Sequence, residues 1–320
     1  MFLNETIINN AKTKTDLIKR RKKVYLDQNY WIYFRDSRRG TQNNALYDSL
    51  YETIKKKVNE GELICPVSFP VLIELTKQTD VSTREEFIEV VKELSLDTAI
   101  LASEPLYVQE TIELIENDLI PPKCVWVNTP YMIGDITQGD PSNKILFEQQ
   151  KNLTIDELAC LIMNIESASP SKSGVAEDLN KEKSLQSTQP IKYWYDFEVQ
   201  GLLDNIQPII NEARLHSQKK IDEQSILAKI KSSMHNKNSN FLGSQKVLNV
   251  YYAGTRSKDY NYKETDPEDS LHASYAIPYY DVMLTDSAMR HHFNTRPFTD
   301  YLNPPKIISS VKEAVSYFSI

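Results

Sequence analysis

The sequence predicts an α/β fold in which a central parallel sheet is interrupted by a long, mainly helical insertion. Three observations carry this. Short apolar runs end near residues 27, 67 and 285, each followed by helix-start chemistry, and a further run covers 306–309. Apolar positions recur at helical spacing between these runs. The middle of the chain keeps the helical period without comparable strand signals.

Taken in order, the first strand is expected over about 23–27, where Val24, Tyr25 and Leu26 lead to Asp27. A helix follows. Leu46, Leu50 and Ile54 place another helix over about 45–60, closed by Gly61, which feeds a second strand over about 63–67. Ser68 and Pro70 are ordinary cap and first-turn residues, so Glu74 falls in the second turn of the next helix. Residues 83–93 form a further amphipathic helix. Beyond them Glu104-Pro105, Pro121-Pro122 and Thr129-Pro130 interrupt the pattern, and Thr154 with Glu157 has capping-box spacing ahead of a helix over 152–167.

Residues 168–190 are small and polar, which predicts an exposed flexible loop. Helical periodicity returns over about 195–233. The third strand is expected at 281–285 and the fourth at 306–309. Right-handed crossovers would bring the first and third strand ends together. The expected organisation is a basic N-terminal arm (1–22), a first core segment (23–100), a helical insertion (101–245) and a second core segment (246–320).

The chain has 320 residues and a net charge of -7, which argues against a protein that coats nucleic acid over its whole surface. Any such contact must come from a local patch. Lys12, Lys14, Lys19, Arg20, Arg21, Lys22 and Lys23 form one, with Arg35, Arg38 and Arg39 after Asp27. That arm reads equally as a phosphate-contacting element or as a solvated helix face. Three widely spaced cysteines without a C-x-x-C pair are expected to be reduced thiols. With no leader-like start and no apolar run of membrane length, a soluble cytoplasmic protein is expected, without membrane contact. Eight glycines and no G-x-G-x-x-G or G-x-x-x-x-G-K-[ST] pattern exclude the usual nucleotide-binding loops.

The candidate chemistry lies in the acids. Asp27 stands at a strand end, where open α/β sheets place their sites. Glu74 lies on a helix, Asp269 near the start of a late helix in Asp266-Pro267-Glu268-Asp269-Ser270, and Asp286 at the end of the third strand. Singly, each has a structural reading, as a helix cap or a solvated side chain.

In order, they resemble the PIN-domain nucleases, a superfamily of metal-dependent ribonucleases with a small parallel sheet. The likeness spans about 23–95 and about 245 to the last residue. It implies a three-layer α/β/α PIN-like core in which Asp27, Glu74, Asp269 and Asp286 are catalytic and ligate magnesium or manganese. The family's last acid usually follows a Thr-x-Asp pattern. Here Thr285-Asp286-Ser287 brings it one position early, which bears on the fourth ligand and not on the first three.

The substrate so implied is RNA, with DNA as the alternative, cleaved by metal-activated water. Gln28, Asn29, Thr285 and His272 are the candidate substrate contacts. His272 shares a helix face with Asp269, and beside Leu271 and Ala273 a packed, hydrogen-bonded role is favoured for it. Glu268 and Asp266 are the substitutes for Asp269 if the register differs. Tyr25, Tyr30, Tyr33, Tyr251, Tyr252, Tyr260 and Tyr262 flank these segments, as core residues or as faces for unpaired bases. The reading of a different class is a non-catalytic scaffold of the same fold, whose helical insertion binds a protein partner, a second copy of the chain or nucleic acid.

Overall fold

Each of the four apolar runs becomes a strand. In the computed structural model they are β1 (Lys22–Leu26), β2 (Leu63–Ile64), β5 (Val282–Leu284) and β6 (Lys306–Ile308), joined in one parallel sheet of order β2-β1-β5-β6. A separate antiparallel pair, β3 (Ala99–Ile100) and β4 (Trp126–Val127), lies outside it. The structure describes residues 2–320 except 79, 117–123, 138–147, 168–176, 178, 179, 182–188, 240, 258–262, 264, 265 and 297. Most of the polar stretch at 168–190 therefore lies outside the described residues.

The helices, which make up most of the described chain, are α1 (Glu5–Ile18), α2 (Gln28–Arg39), α3 (Ala45–Asn59), α4 (Phe69–Thr76), α5 (Val81–Ser95), α6 (Ser103–Glu116) and α7 (Ile155–Ser167). After them come α8 (Ile191–Asn205), α9 (Gln207–His216), α10 (Glu223–His235), α11 (Gly243–Arg256), α12 (Asp266–Tyr279), α13 (Ser287–Phe293), α14 (Phe298–Tyr301) and α15 (Val311–Phe318).

Several helix ends follow from the chemistry that predicts them. Thr154 and Glu157 form a reciprocal capping box, with Thr154 N donating to Glu157 Oε2 at 2.8 Å and Glu157 N to Thr154 Oγ1 at 3.2 Å. Pro105 stands in the first turn of α6, where a missing N–H is harmless. The Glu104-Pro105 pair therefore opens a helix rather than interrupting one.

Strand side chains alternate between two hydrophobic clusters, as a period of two requires. Tyr25, Ile64, Met283 and Ile307 enter one, together with α1, α6, α8, α9, α11 and α12. Val24, Leu26, Leu63, Val282, Leu284 and Ile308 enter the other, with α2, α3, α4, α5 and α15. Of the helices between 101 and 245, α6, α8, α9 and α10 share the first cluster with the sheet and α7 joins the second, instead of enclosing a core of their own.

The N-terminal segment is packed. Leu3, Ile7, Ala11 and Ile18 are buried, and Leu3 N donates to the buried Glu212 carboxylate at 2.8 Å, an oxygen that also accepts from Phe2 N. Gly134 has a φ of +77°, and a Cβ there would lie 2.3 Å from the Phe2 carbonyl oxygen, so only glycine lets the chain start dock. Among the described residues no helix is long and apolar enough to cross a membrane. The three cysteines are free thiols.

Candidate functional site

Adjacent strand ends create the site. Leu26 pairs with Leu284, so Asp27 and Thr285 leave the sheet side by side. The ladder continues through Asp27 N to the Leu284 carbonyl at 3.0 Å and Thr285 N to the Ile308 carbonyl at 3.0 Å. The Asp27 carboxylate then divides its work: Oδ1 accepts from Gln28 N at 2.7 Å, capping α2, and Oδ2 accepts from the Thr285 hydroxyl at 2.8 Å. Thr285 is buried. Its hydroxyl fixes the rotamer of Asp27, a positioning task distinct from the substrate contact expected of it. Asp286, one residue on, is exposed and caps α13 by accepting from Met289 N at 2.8 Å.

Asp269 arrives from a different direction, in the first turn of α12. Its carboxyl is pushed up to about 6, first by partial burial, then by the charges of Asp27 and Asp286, with Asp266 adding and His272 opposing. Three acids from three segments of sequence therefore share one electrostatic neighbourhood. The two alternatives on α12 are engaged elsewhere. Glu268 pairs with Lys77 at 2.6 Å near the surface, and Asp266 accepts from Lys263 N at 2.8 Å.

Glu74 and His272 form a buried unit behind these acids. His272 Nε2 lies 3.2 Å from Glu74 Oε1, and Nδ1 lies 2.6 Å from the Tyr25 hydroxyl, which also accepts from Ser68 Oγ at 3.3 Å. With the ring neutral, Ser68 donates to Tyr25, Tyr25 to Nδ1, and Nε2–H to Glu74, so each hydrogen in the chain has an acceptor. Burial alone would lower the proton affinity of His272. The hydrogen bond and charge of Glu74, with the charges of Asp27 and Asp269, reverse that and raise it. The second Glu74 oxygen, Oε2, is buried without a hydrogen-bond partner.

His272 is thus internal, in keeping with the packed role favoured by its apolar neighbours, and both ring nitrogens are engaged. Gln28 is half-buried and Asn29 exposed at the start of α2, beside Asp27.

The donor set suits a hard cation, since magnesium and manganese take oxygen ligands and retain waters. The orphaned Glu74 Oε2 and the crowded Asp269 are the two features that fit such an ion. The side chains do not, however, converge on one point: among the described residues no group of three or more His, Cys, Asp or Glu side chains is arranged to hold a metal ion. Glu74 in particular faces His272.

Comparison of the chain with models of known families, with curated proteins and with solved structures found no match.

Sequence adjacency misleads for the basic arm. Arg21, Lys22 and Lys23 stand at the amino end of β1, and Asp27 follows its carboxyl end, about 15 Å away along the strand. Lys23 N donates to Asp281, Arg21 Nη1 to the Val58 carbonyl, and Lys22 Nζ to the Tyr317 hydroxyl. Arg35, Arg38 and Arg39 pair with Asp36, Glu89 and Glu86. Strand direction, legible in the sequence, already separates Arg21, Lys22 and Lys23 from the acids. Tyr25 and Ser68, which hold His272, carried no comparable signal, because a buried tyrosine in a strand looks like any other core residue.

Proposed function

We propose that the chain is a divalent-metal-dependent nuclease with a PIN-like core, cleaving RNA. The observation that carries this is that Asp27 and Asp286 leave adjacent strand ends at the carboxyl edge of the sheet, with Asp269 near enough for their charges to raise its proton affinity. Clustered carboxylates destabilise the metal-free state, and a cation relieves them. Hydrophobic clusters on alternate sides of a four-stranded parallel sheet support a three-layer α/β/α core, with the 101–245 helices as its insertion.

Bound magnesium or manganese would supply an activated water and charge relief at the phosphate. Asp27, Asp269 and Asp286 would hold it, with Glu74 contributing through Oε2. Thr285 keeps Asp27 in one rotamer. His272, anchored by Tyr25, holds Glu74 and moderates the repulsion among the acids. Gln28 and Asn29 flank Asp27 where a phosphate oxygen would pass.

A second reading, a non-catalytic scaffold whose middle helices bind a protein partner or a second copy of the chain, is favoured by one observation: no three acids are arranged as a ready metal site. Manganese titration combined with cleavage of a panel of RNAs and DNAs separates the two. The nuclease reading expects metal-dependent RNA cleavage that is lost in both Asp27→Asn and Asp269→Asn. Absence of both metal binding and cleavage in the unaltered chain rejects it.

A further inference from the structure

A groove of about 520 Å³ opens one residue beyond Asp286. Ser287, Arg290, His291 and Asn294 of α13 and its C-cap line one side, and Lys306 and Ser309 along the edge strand β6 line the other. Its volume lies within the roughly 300–1,000 Å³ of ordinary ligand sites. In a chain of net charge -7, cations outnumber anions here: Arg290 and Lys306 share a single partner, Glu313, at 2.5 and 3.0 Å. Both remain substantially exposed, with side-chain exposures of 36% and 47%. Such exposed pairs add little to stability, so holding the fold together is a weak account of the arrangement. Glu313 instead fixes two extended cations, one from each side of the groove, where each still has N–H groups to offer.

We propose that this groove holds the phosphodiester backbone of a single-stranded nucleic acid next to the acid cluster. The inference rests on the nuclease reading for its substrate class. Arg290 offers a planar fork to phosphate oxygens, Lys306 a point charge, and Ser287, Asn294 and Ser309 neutral hydrogen-bonding groups. α13 has seven residues, a length of about 10 Å, enough for two or three phosphates and too short to track a duplex turn. Because Ser287 follows Asp286 directly, a strand in the groove leads its next phosphate to Asp286 and Asp27.

The test uses the full chain in EDTA, a fluorescein-labelled single-stranded polyuridine and anisotropy titrations over a range of salt. Arg290→Gln combined with Lys306→Gln is expected to weaken binding about tenfold or more and to reduce the salt slope by about 1.4, from two lost contacts. Glu313→Gln frees both cations and is expected to tighten binding. Arg20→Gln, exposed in the turn between α1 and β1 at the amino end of the strand, is the control and should keep the wild-type slope. Thermal melting verifies that each variant is folded.

Wild-type affinity and slope in the double variant overturn the groove, as does tighter binding of a duplex than of the single strand, or no binding of polyuridine by the wild type. Manganese-dependent cleavage, measured in parallel, keeps the two ideas apart. Cleavage that needs Asp269 but survives the double variant with unchanged binding rejects the groove alone. Groove-dependent binding without any cleavage rejects the nuclease alone.

Discussion

Asp269 bears the clearest physical signature of the site. Its carboxyl is pushed up to about 6 by burial and by Asp27 and Asp286, against an ordinary value of 3.8 that it regains on unfolding. Above about pH 6 the folded state carries the full repulsion. As pH falls through 6 the folded state takes up the proton first, so this group's penalty fades until the unfolded chain also protonates near 4. The full shift corresponds to about 3 kcal/mol, and solvent screening of a half-exposed group reduces that to about 1 kcal/mol. Asp269→Asn should therefore stabilise the metal-free protein by about 1 kcal/mol at pH 7 and flatten its stability between pH 6 and 4. Urea unfolding in EDTA at several pH values measures this, and an unchanged pH profile would show that the acids do not couple. His272 differs in kind. His272→Ala strips Glu74 of its buried partner and should destabilise by about 2–4 kcal/mol, while Tyr25→Phe, which removes a hydroxyl serving both His272 and Ser68, should cost about 1–3 kcal/mol. Chemical denaturation ranks the two; below its melting temperature His272→Ala should keep much of the cleavage that Asp269→Asn loses.

Elements whose ends carry their own chemistry were legible in the sequence. The runs at 23–27, 63–67, 281–285 and 306–309 match strands at 22–26, 63–64, 282–284 and 306–308, and Asp27, Asp286 and Thr154 all cap helices. What remained illegible depends on partners distant in sequence. The antiparallel pair β3 and β4 joins two-residue strands too short for any period, and α1 looks like a charged arm until its apolar face meets the first cluster. The link between Thr285 and Asp27 belongs to the same class, 258 residues apart in sequence and joined by one register. It makes an element-scale prediction. Thr285→Val keeps shape and burial but frees the Asp27 carboxylate to rotate, so manganese affinity should fall about tenfold or more, as for other losses of support behind metal ligands. Thr285→Ser restores the hydroxyl and should restore affinity. Equal manganese affinity in the valine and serine variants would reduce Thr285 to a packing residue.

At the scale of the molecule, the sheet divides two cores, and the site sits where helices from both meet its carboxyl edge: α2 and α4 from one cluster, α12 from the other. Asp269 on α12 can meet Asp27 only while the first cluster holds α12 against the strands. That cluster extends through α6, α9 and α11 to the chain start, where Leu3, Ile7, Ala11 and Ile18 are buried, Glu212 accepts from the backbone, and Asn4 Nδ2 donates to Asp135 at 2.9 Å. The N-terminal segment is therefore structural cladding for the site's own helix. Burying three large aliphatic side chains stabilises by about 1.5–3 kcal/mol each, a sum comparable with the roughly 5–15 kcal/mol that holds a domain folded. Removing residues 2–18 should leave a chain that exposes the first cluster, binds a hydrophobic dye and melts without a cooperative transition. Neutralising Lys12, Lys19 and Arg20, which project from exposed positions, should leave the melting curve within about 0.5 kcal/mol of the wild type. Calorimetry on the truncated and neutralised chains decides between a dispensable arm and a structural one. A truncated chain that still melts cooperatively near the wild-type temperature would return the segment to the role of a detachable arm, and α12 would then need another source of order.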